Sequence, residues 1–304
     1  MSGDRKTLER IQGLREERQA IILAHNYQRA EVQDIADFVG DSLGLARKAV
    51  SADAGVIVFC GVHFMAETSA ILNPDKNTLL PDPEAGCNLA DTITPEGLIA
   101  LKGEHPRAVV VTYVNSPAAV KAESDYCCTS GNAVQVVEAI DNPEIIFTPD
   151  RNLGRYVQKV TGKELIIWEG CCSVHEGITV EQVLKLKRLH PSAEVVAHPE
   201  CREEVLERAD AVASTSGMFT FAEKSGAVEI IVLTEVAMEH PLGKRFPEKK
   251  FYFPRHEEPV CETMKMITLD KVEKSLAELK PVVTVPEDIR LRALRAVERM
   301  LEIG

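Results

Sequence analysis

Along the chain, short runs of β-branched and aliphatic residues alternate with longer stretches in which apolar residues return every three or four positions. Such alternation predicts strands joined by helices, the pattern of a parallel α/β protein. The runs also repeat. AIILAHNY, VVVTYVNS and EVVAHPEC each open a unit, and each ends in two polar residues separated by one position: His25 and Tyr27, Tyr113 and Asn115, His198 and Glu200. Successive pairs lie 88 and 85 residues apart. A small, hydroxyl-bearing stretch that opens a helix follows in each unit, with Ser42, Ser130 and Ser214 at intervals of 88 and 84. GVIVF, EIIF and EIIVL then supply a third strand, and NTLLP, ELIIW and KFYFP a fourth that leads to a cysteine. Cys87, Cys172 and Cys261 therefore recur at 85 and 89 residues. Four features in one order at matching offsets mark an internal threefold repeat.

The repeat predicts domain edges near residues 85 and 172: a first α/β domain over 1–85, a second over 86–171 and a third over 172–262. The remainder, 263–304, reads as closing helices packed on the first domain or near it. In VPEDIRLRALRAVERMLEI, Pro286 marks a helix start and Ile289, Leu291, Leu294, Val297 and Leu301 are the expected apolar face. In open α/β units, ligands bind beyond the carboxyl ends of the strands, which is where the polar pairs fall.

Size and charge narrow the function. A chain of 304 residues with 45% hydrophobic and 27% charged content is long enough for two or three subdomains. A formal net charge of −12 argues against nucleic acid or an anionic membrane surface as partner. The N-terminal MSGDRKTLERIQGLREERQ is a charged amphipathic helix with no secretory h-region, and no apolar run is long enough to span a membrane. Eight cysteines in that context point to reduced thiols in the cytoplasm, used for metal or catalysis in preference to disulfides.

Three thiolates at equivalent points of a repeat can converge, and three ligands leave one coordination position open for chemistry. Cys172 is favoured over its neighbour Cys171 because Cys-x-x-His then brings His175 to the centre. Soft thiolate donors suit iron–sulfur or zinc, and spacing alone does not separate the two. Cys60 reads as a buried hydrophobe; Cys127, Cys128, Cys171 and Cys201 have no assigned role. The helix starts at Ser42, Ser130 and Ser214–Thr215 read as N-caps, and three of them around one cavity would also bind carboxylates and a phosphate. Tyr27, Glu200, His25 and His198 near a Lewis acid supply what proton transfers on a carbonyl and a hydroxyl require. His63, His105, His190, His240 and His256 read as surface or structural. An aconitase-like hydro-lyase and a non-catalytic metal scaffold are the competing functions.

Taken in order, AHNYQ, GDSLGLA, AGCNLAD, TYVNS, CTSGNA, CSVHE, AHPEC, STSGM and PVCETM resemble the quinolinate synthase family over essentially the whole chain. The resemblance implies three similar three-layer α/β/α domains with parallel sheets around a pseudo-threefold axis and the active site at the centre. It implies a [4Fe–4S] cluster on Cys87, Cys172 and Cys261 with one open iron site acting as Lewis acid. The implied reaction condenses iminoaspartate with dihydroxyacetone phosphate to quinolinate, phosphate and two waters in de novo NAD biosynthesis. L-aspartate oxidase or aspartate dehydrogenase would supply the imine. The positions similar to the family's substrate ligands are His25, Ser42, Tyr113, Asn115, Ser130, His198, Glu200 and Thr215, with His175 and Ser214 beside them; Tyr27 and Glu200 match its acid–base residues. Two departures stand out. Some bacterial members carry a Cys-x-x-Cys-x-x-Cys run around the last ligand, whereas Cys261 stands alone, so no thiol switch of that kind is expected. The doublets Cys127–Cys128 and Cys171–Cys172 are extra thiols.

Overall fold

Three parallel sheets of four strands each organise the chain. The computed structural model describes residues 2–254 and 259–303, with side chains from Arg5 onward. The first sheet holds β1 (Ala20–His25), β2 (Phe38–Gly40), β3 (Val56–Cys60) and β4 (Asn77–Leu79). The second holds β5 (Val109–Tyr113), β6 (Tyr126–Cys128), β7 (Ile145–Thr148) and β8 (Leu165–Ile167). The third holds β9 (Glu194–Ala197), β10 (Ala211–Val212), β11 (Glu229–Leu233) and β12 (Lys250–Tyr252). In every sheet the spatial order is second, first, third, fourth strand of the unit. The three-domain α/β/α architecture expected from the repeat is the one observed.

That order has a consequence for the site. The opening strand of each unit is central: Ala24 pairs with Val39 on one side and Cys60 on the other, Val111 with Tyr126 and Phe147, and Val196 with Ala211 and Val232. The chain leaves it first to one side and then to the other, so its carboxyl end is a topological switch point, where a crevice opens. His25, Tyr113 and His198 stand at or directly after these three ends. Sheets covered on both faces need strands that are apolar throughout. β3 and β7 are accordingly buried at every position.

Helices cover the faces, and the C-terminal segment closes an edge. Val283 N–H donates to Thr78 O (2.8 Å) and Leu80 N–H to Pro281 O (3.2 Å), adding an antiparallel bridge to the exposed side of β4. The helix Leu269–Glu278 packs on the N-terminal helix Ser2–Glu17 and on β3. The last helix, Glu287–Ile303, lies against β6 and the helices Ala118–Lys121 and His63–Leu72, so it ties the first sheet's layer to the second.

Several local expectations change. The second strands are only two or three residues long, too short to show periodicity in the sequence. On the last helix the buried residues are Ala293, Ala296, Val297 and Met300, while Leu291 is exposed. At ~100° per residue Leu291 falls on the face opposite Ala293 and Val297, whatever its hydrophobicity. Of the three hydroxyl caps only Ser214 is one, accepting from Gly217 N–H at 3.3 Å. Asp41 caps the helix that begins at Ser42, and the helix after Ser130 starts at Ala133 with no side-chain cap. His256 lies outside the described residues.

The Cys172 loop is packed against a strand end with no spare room at Gly170. A Cβ at Gly170 would collide with Thr92 Oγ1 and lie 2.5 Å from Pro149 O. Gly170→Ala should therefore cost about 1–3 kcal/mol, read as a lower urea midpoint; an unchanged midpoint would refute the close approach.

Candidate active site

One cavity of about 70 Å³ sits where the three strand-end crevices face each other. It brings together His25, Tyr27, Tyr113, Asn115, His198 and Glu200 from the central strands. Ser42, Ser130 and Thr215 from the turns and helix starts, His175, and the three thiols Cys87, Cys172 and Cys261 complete it. Of the residues singled out in the sequence, Ser214 alone is not at its wall; it caps the helix whose first residue, Thr215, is. A larger external groove of about 470 Å³, between first-sheet and third-sheet elements, shares Asp41 with the cavity.

Local backbone geometry sets the histidines. At both strand ends the imidazole turns back on its own chain: His25 Nδ1 accepts Tyr27 N–H at 3.1 Å and His198 Nδ1 accepts Glu200 N–H at 3.3 Å. An Nδ1 that accepts carries no proton, so His25 is the Nε2–H tautomer; His198 Nδ1 also lies 3.3 Å from Glu200 Oε2, a contact that calls for the opposite tautomer. Burial, then Lys265 and His198, lower the His25 pKa to about 3. Burial and the adjacent His175 lower that of His198. Both rings are neutral donors at neutral pH.

His175 joins the centre from the short helix Ser173–Glu176 that follows Cys172. Its ring stacks on His198 with centroids 4.4 Å apart. Its Nδ1 is 2.8 Å from Glu200 Oε2 and 3.3 Å from Cys172 Sγ. These three donor atoms lie close enough to suggest a metal ligand set. However, ligands of one tetrahedral zinc stand roughly 3.3–3.8 Å apart, from bond lengths of ~2.0–2.3 Å. A single Nδ1 serving both neighbours is a hydrogen-bonded triad. With Nδ1–H given to the carboxylate, Nε2 accepts, and its partner is Thr234 Oγ1 at 2.8 Å. Thr234 in turn lies 2.7 Å from Tyr27 OH. A directed chain runs from Tyr27 through Thr234 and His175 to Glu200.

Electrostatics divide the roles. Burial pushes the Glu200 carboxyl up, but His175 and His198 outweigh it and hold the group below the usual carboxylate range. Glu200 is thus a buried anion whose Oε1 has no hydrogen-bond partner among the described residues. Asn115 Oδ1 is likewise buried without one. Burial and the Glu200 charge raise Tyr27 and Tyr113 well above the ordinary phenol value, so both keep their protons. Burial raises the thiols too, Cys87 to about 12.

The thiols fit a metal centre. All are free, and among the described residues no lysine or arginine lines the cavity, so thiolates here would need a bound cation as counter-charge. Three soft donors of this kind are consistent with an iron–sulfur cofactor. The remaining thiols stay apart: Cys60, Cys127, Cys128 and Cys201 are core residues, and Cys171 is not in the cavity wall.

Sequence reading missed three groups here. Thr234, Asp150 and Glu235 all follow third strands, where the repeat was not aligned residue by residue. Asp150 Oδ2 accepts Cys172 N–H (3.0 Å) and Glu235 Oε1 accepts Cys261 N–H (3.2 Å). Extending the alignment two residues past each third strand would have found the last two.

Comparison with known proteins identifies the family. Residues 9–302 match the family model described as quinolinate synthetase A protein. A quinolinate synthase of Desulforudis audaxviator is 56% identical over 96% of this chain and 97% of its own length. One of Methanosarcina barkeri is 55% identical over 97% of each chain, and one of Thermodesulfovibrio yellowstonii 52% identical over 98% of each. No helix among the described residues is long and apolar enough to cross a membrane. The chain belongs to the quinolinate synthase family of enzymes.

Proposed function

We propose that the chain condenses iminoaspartate with dihydroxyacetone phosphate to quinolinate, phosphate and two waters, in the cytoplasm, as a step of NAD biosynthesis. The observation that carries this reading is the convergence of three thiols from three equivalent loops on a cavity that also holds an ionised, half-unpartnered Glu200. The cofactor we assign is a [4Fe–4S] cluster held by Cys87, Cys172 and Cys261. When bound, it supplies Lewis acidity at an iron that has no protein ligand. The domain division at residues 85 and 171 is proposed on the same repeat.

The side chains divide the remaining work. Among the described residues no cationic side chain lines the wall, so neutral donors hold two carboxylates and a phosphate: the His25 Nε2–H, the His198 ring, the Tyr113 phenol, the Asn115 amide and the Ser42, Ser130 and Thr215 hydroxyls. The helices Ser42–Ser51 and Thr215–Lys224 each begin at such a hydroxyl and add their free N–H groups and dipoles. Ser130 precedes only a six-residue helix, so it contributes its hydroxyl and little field. Glu200 takes protons at Oε1, the oxygen His175 leaves free. Tyr27 donates from its phenol when it turns its proton from Thr234 to the substrate. A closed, buried site keeps bulk water from hydrolysing the imine. Because the imine is short-lived in water, L-aspartate oxidase or aspartate dehydrogenase is the partner expected to deliver it.

Anaerobically purified protein given both substrates should release quinolinate; no product from iron- and sulfide-loaded protein would overturn the assignment. Glu200→Gln should lower turnover by about 10²–10⁴-fold while iron and sulfide per chain stay at the wild-type level. Full turnover in that variant would remove Glu200 from the mechanism. Cys87→Ser should lose iron and sulfide together, and zinc without sulfide in the wild type would sink the cluster assignment.

A further inference from the structure

Each unit closes its cysteine loop with the same main-chain hydrogen bond. His63 N–H donates to Ala85 O at 2.8 Å, Arg151 N–H to Gly170 O at 2.7 Å and Val236 N–H to Pro259 O at 3.1 Å. In each case the donor stands three residues past the third strand and the acceptor two residues before a cavity cysteine. The residue just before the donor is where the units differ: Val62, Asp150 and Glu235. Valine offers no acceptor. The two carboxylates, both fully buried, reach the cysteine main chain itself, Asp150 to Cys172 N–H and Glu235 to Cys261 N–H.

Building upon the reading of the three cysteines as metal ligands, we infer that Asp150 and Glu235 are positioning residues of that centre. Each fixes the main chain of one ligand from the end of a third strand, while Cys87 has only the main-chain clamp among these contacts. Both divide their oxygens in the same way. One serves the local turn: Asp150 Oδ1 accepts Leu153 N–H at 2.7 Å and Glu235 Oε2 accepts Ala237 N–H at 2.8 Å. A serine or threonine could do as much. The second oxygen goes to the cysteine. In Glu235 it also meets Lys265 Nζ at 2.7 Å, and that ammonium bonds Tyr27 O, so the Cys261 loop is tied to the turn that presents the acid–base tyrosine. Around Cys172 the neighbours of Asp150 add to the grip: Arg151 bonds Glu176 (2.9 Å), and Asn152 Nδ2 bonds both Glu176 (2.7 Å) and Glu200 O (3.1 Å). Burying a carboxylate is unfavourable unless its oxygens are used. Here both oxygens of both groups are used, half of them on ligand cysteines. Outer partners of this kind set how firmly a metal centre is held.

Asp150→Ser keeps an oxygen for Leu153 and loses the one for Cys172. Glu235→Gln keeps the length and turns one acceptor into a donor. Each variant, loaded anaerobically with iron and sulfide beside the wild type, should release iron to bipyridyl about 10–100-fold faster. Thr179→Ala removes a helix cap whose oxygen accepts Gln182 N–H at 3.3 Å, and serves as the control for general destabilisation; its release rate should match the wild type. Wild-type release rates in both folded variants would overturn the inference, as would an equal acceleration in Thr179→Ala. Should one variant fail to fold, the other decides; if neither folds without metal, the carboxylates serve folding and the positioning role is wrong. A wild type that takes up no iron and sulfide would instead bring down the ligand assignment, whereas loaded wild type with unchanged variants sinks this inference alone.

Discussion

The structure depends on one repeated main-chain hydrogen bond, from the residue three past each third strand to the carbonyl two before each cysteine. A thiol at the end of a long loop has no fixed position by itself, and ordering such a loop costs entropy. Anchoring it to the end of a parallel strand transfers the rigidity of the sheet to the sulfur. Because the three sheets share one strand order, the same anchor recurs three times, and the anchored ends face one cavity. Ligands 85 and 89 residues apart meet for that reason.

Inside the cavity the chemistry follows from burial with selective pairing. Among the described residues no lysine or arginine lines the wall, although the substrates proposed for it are anions. Neutral histidines, phenols held protonated and helix starts supply the donors, each fixed by its own main chain or a neighbouring side chain. Glu200 is the exception, an anion kept ionised by two histidines with one oxygen unsatisfied. A buried acceptor in that condition is costly until something donates to it, which biases the site toward a protonated partner. The formal net charge of −12 belongs to the outer surface and has little bearing on this interior.

Much of this was legible along the chain. Strand and helix alternation, the threefold repeat and the strand-end pairs survive as local patterns because burial on both faces demands apolar runs and because polar residues at strand ends interrupt them. Other features were not. The second strands are too short to carry a period, the last helix buries alanines in place of Leu291, and the caps at Ser42 and Ser130 fall to Asp41 or to none. The alanine face is set by elements distant in sequence, β6 and the helices Ala118–Lys121 and His63–Leu72, whereas the shift of the cap from Ser42 to Asp41 is local.

By itself the sequence determined the α/β class, the number of units, the three cysteines and the strand-end side chains, since all of these follow from periodicity and from residues repeated at one offset. Only the tertiary structure decided that His25 Nδ1 accepts from its own chain, that Thr234 joins Tyr27 to His175, and that Asp150 and Glu235 bond the main chain of two of the three cysteines. Those are matters of a few ångströms between groups as far as 207 residues apart. No local pattern encodes such a distance; it is set by how the three sheets pack.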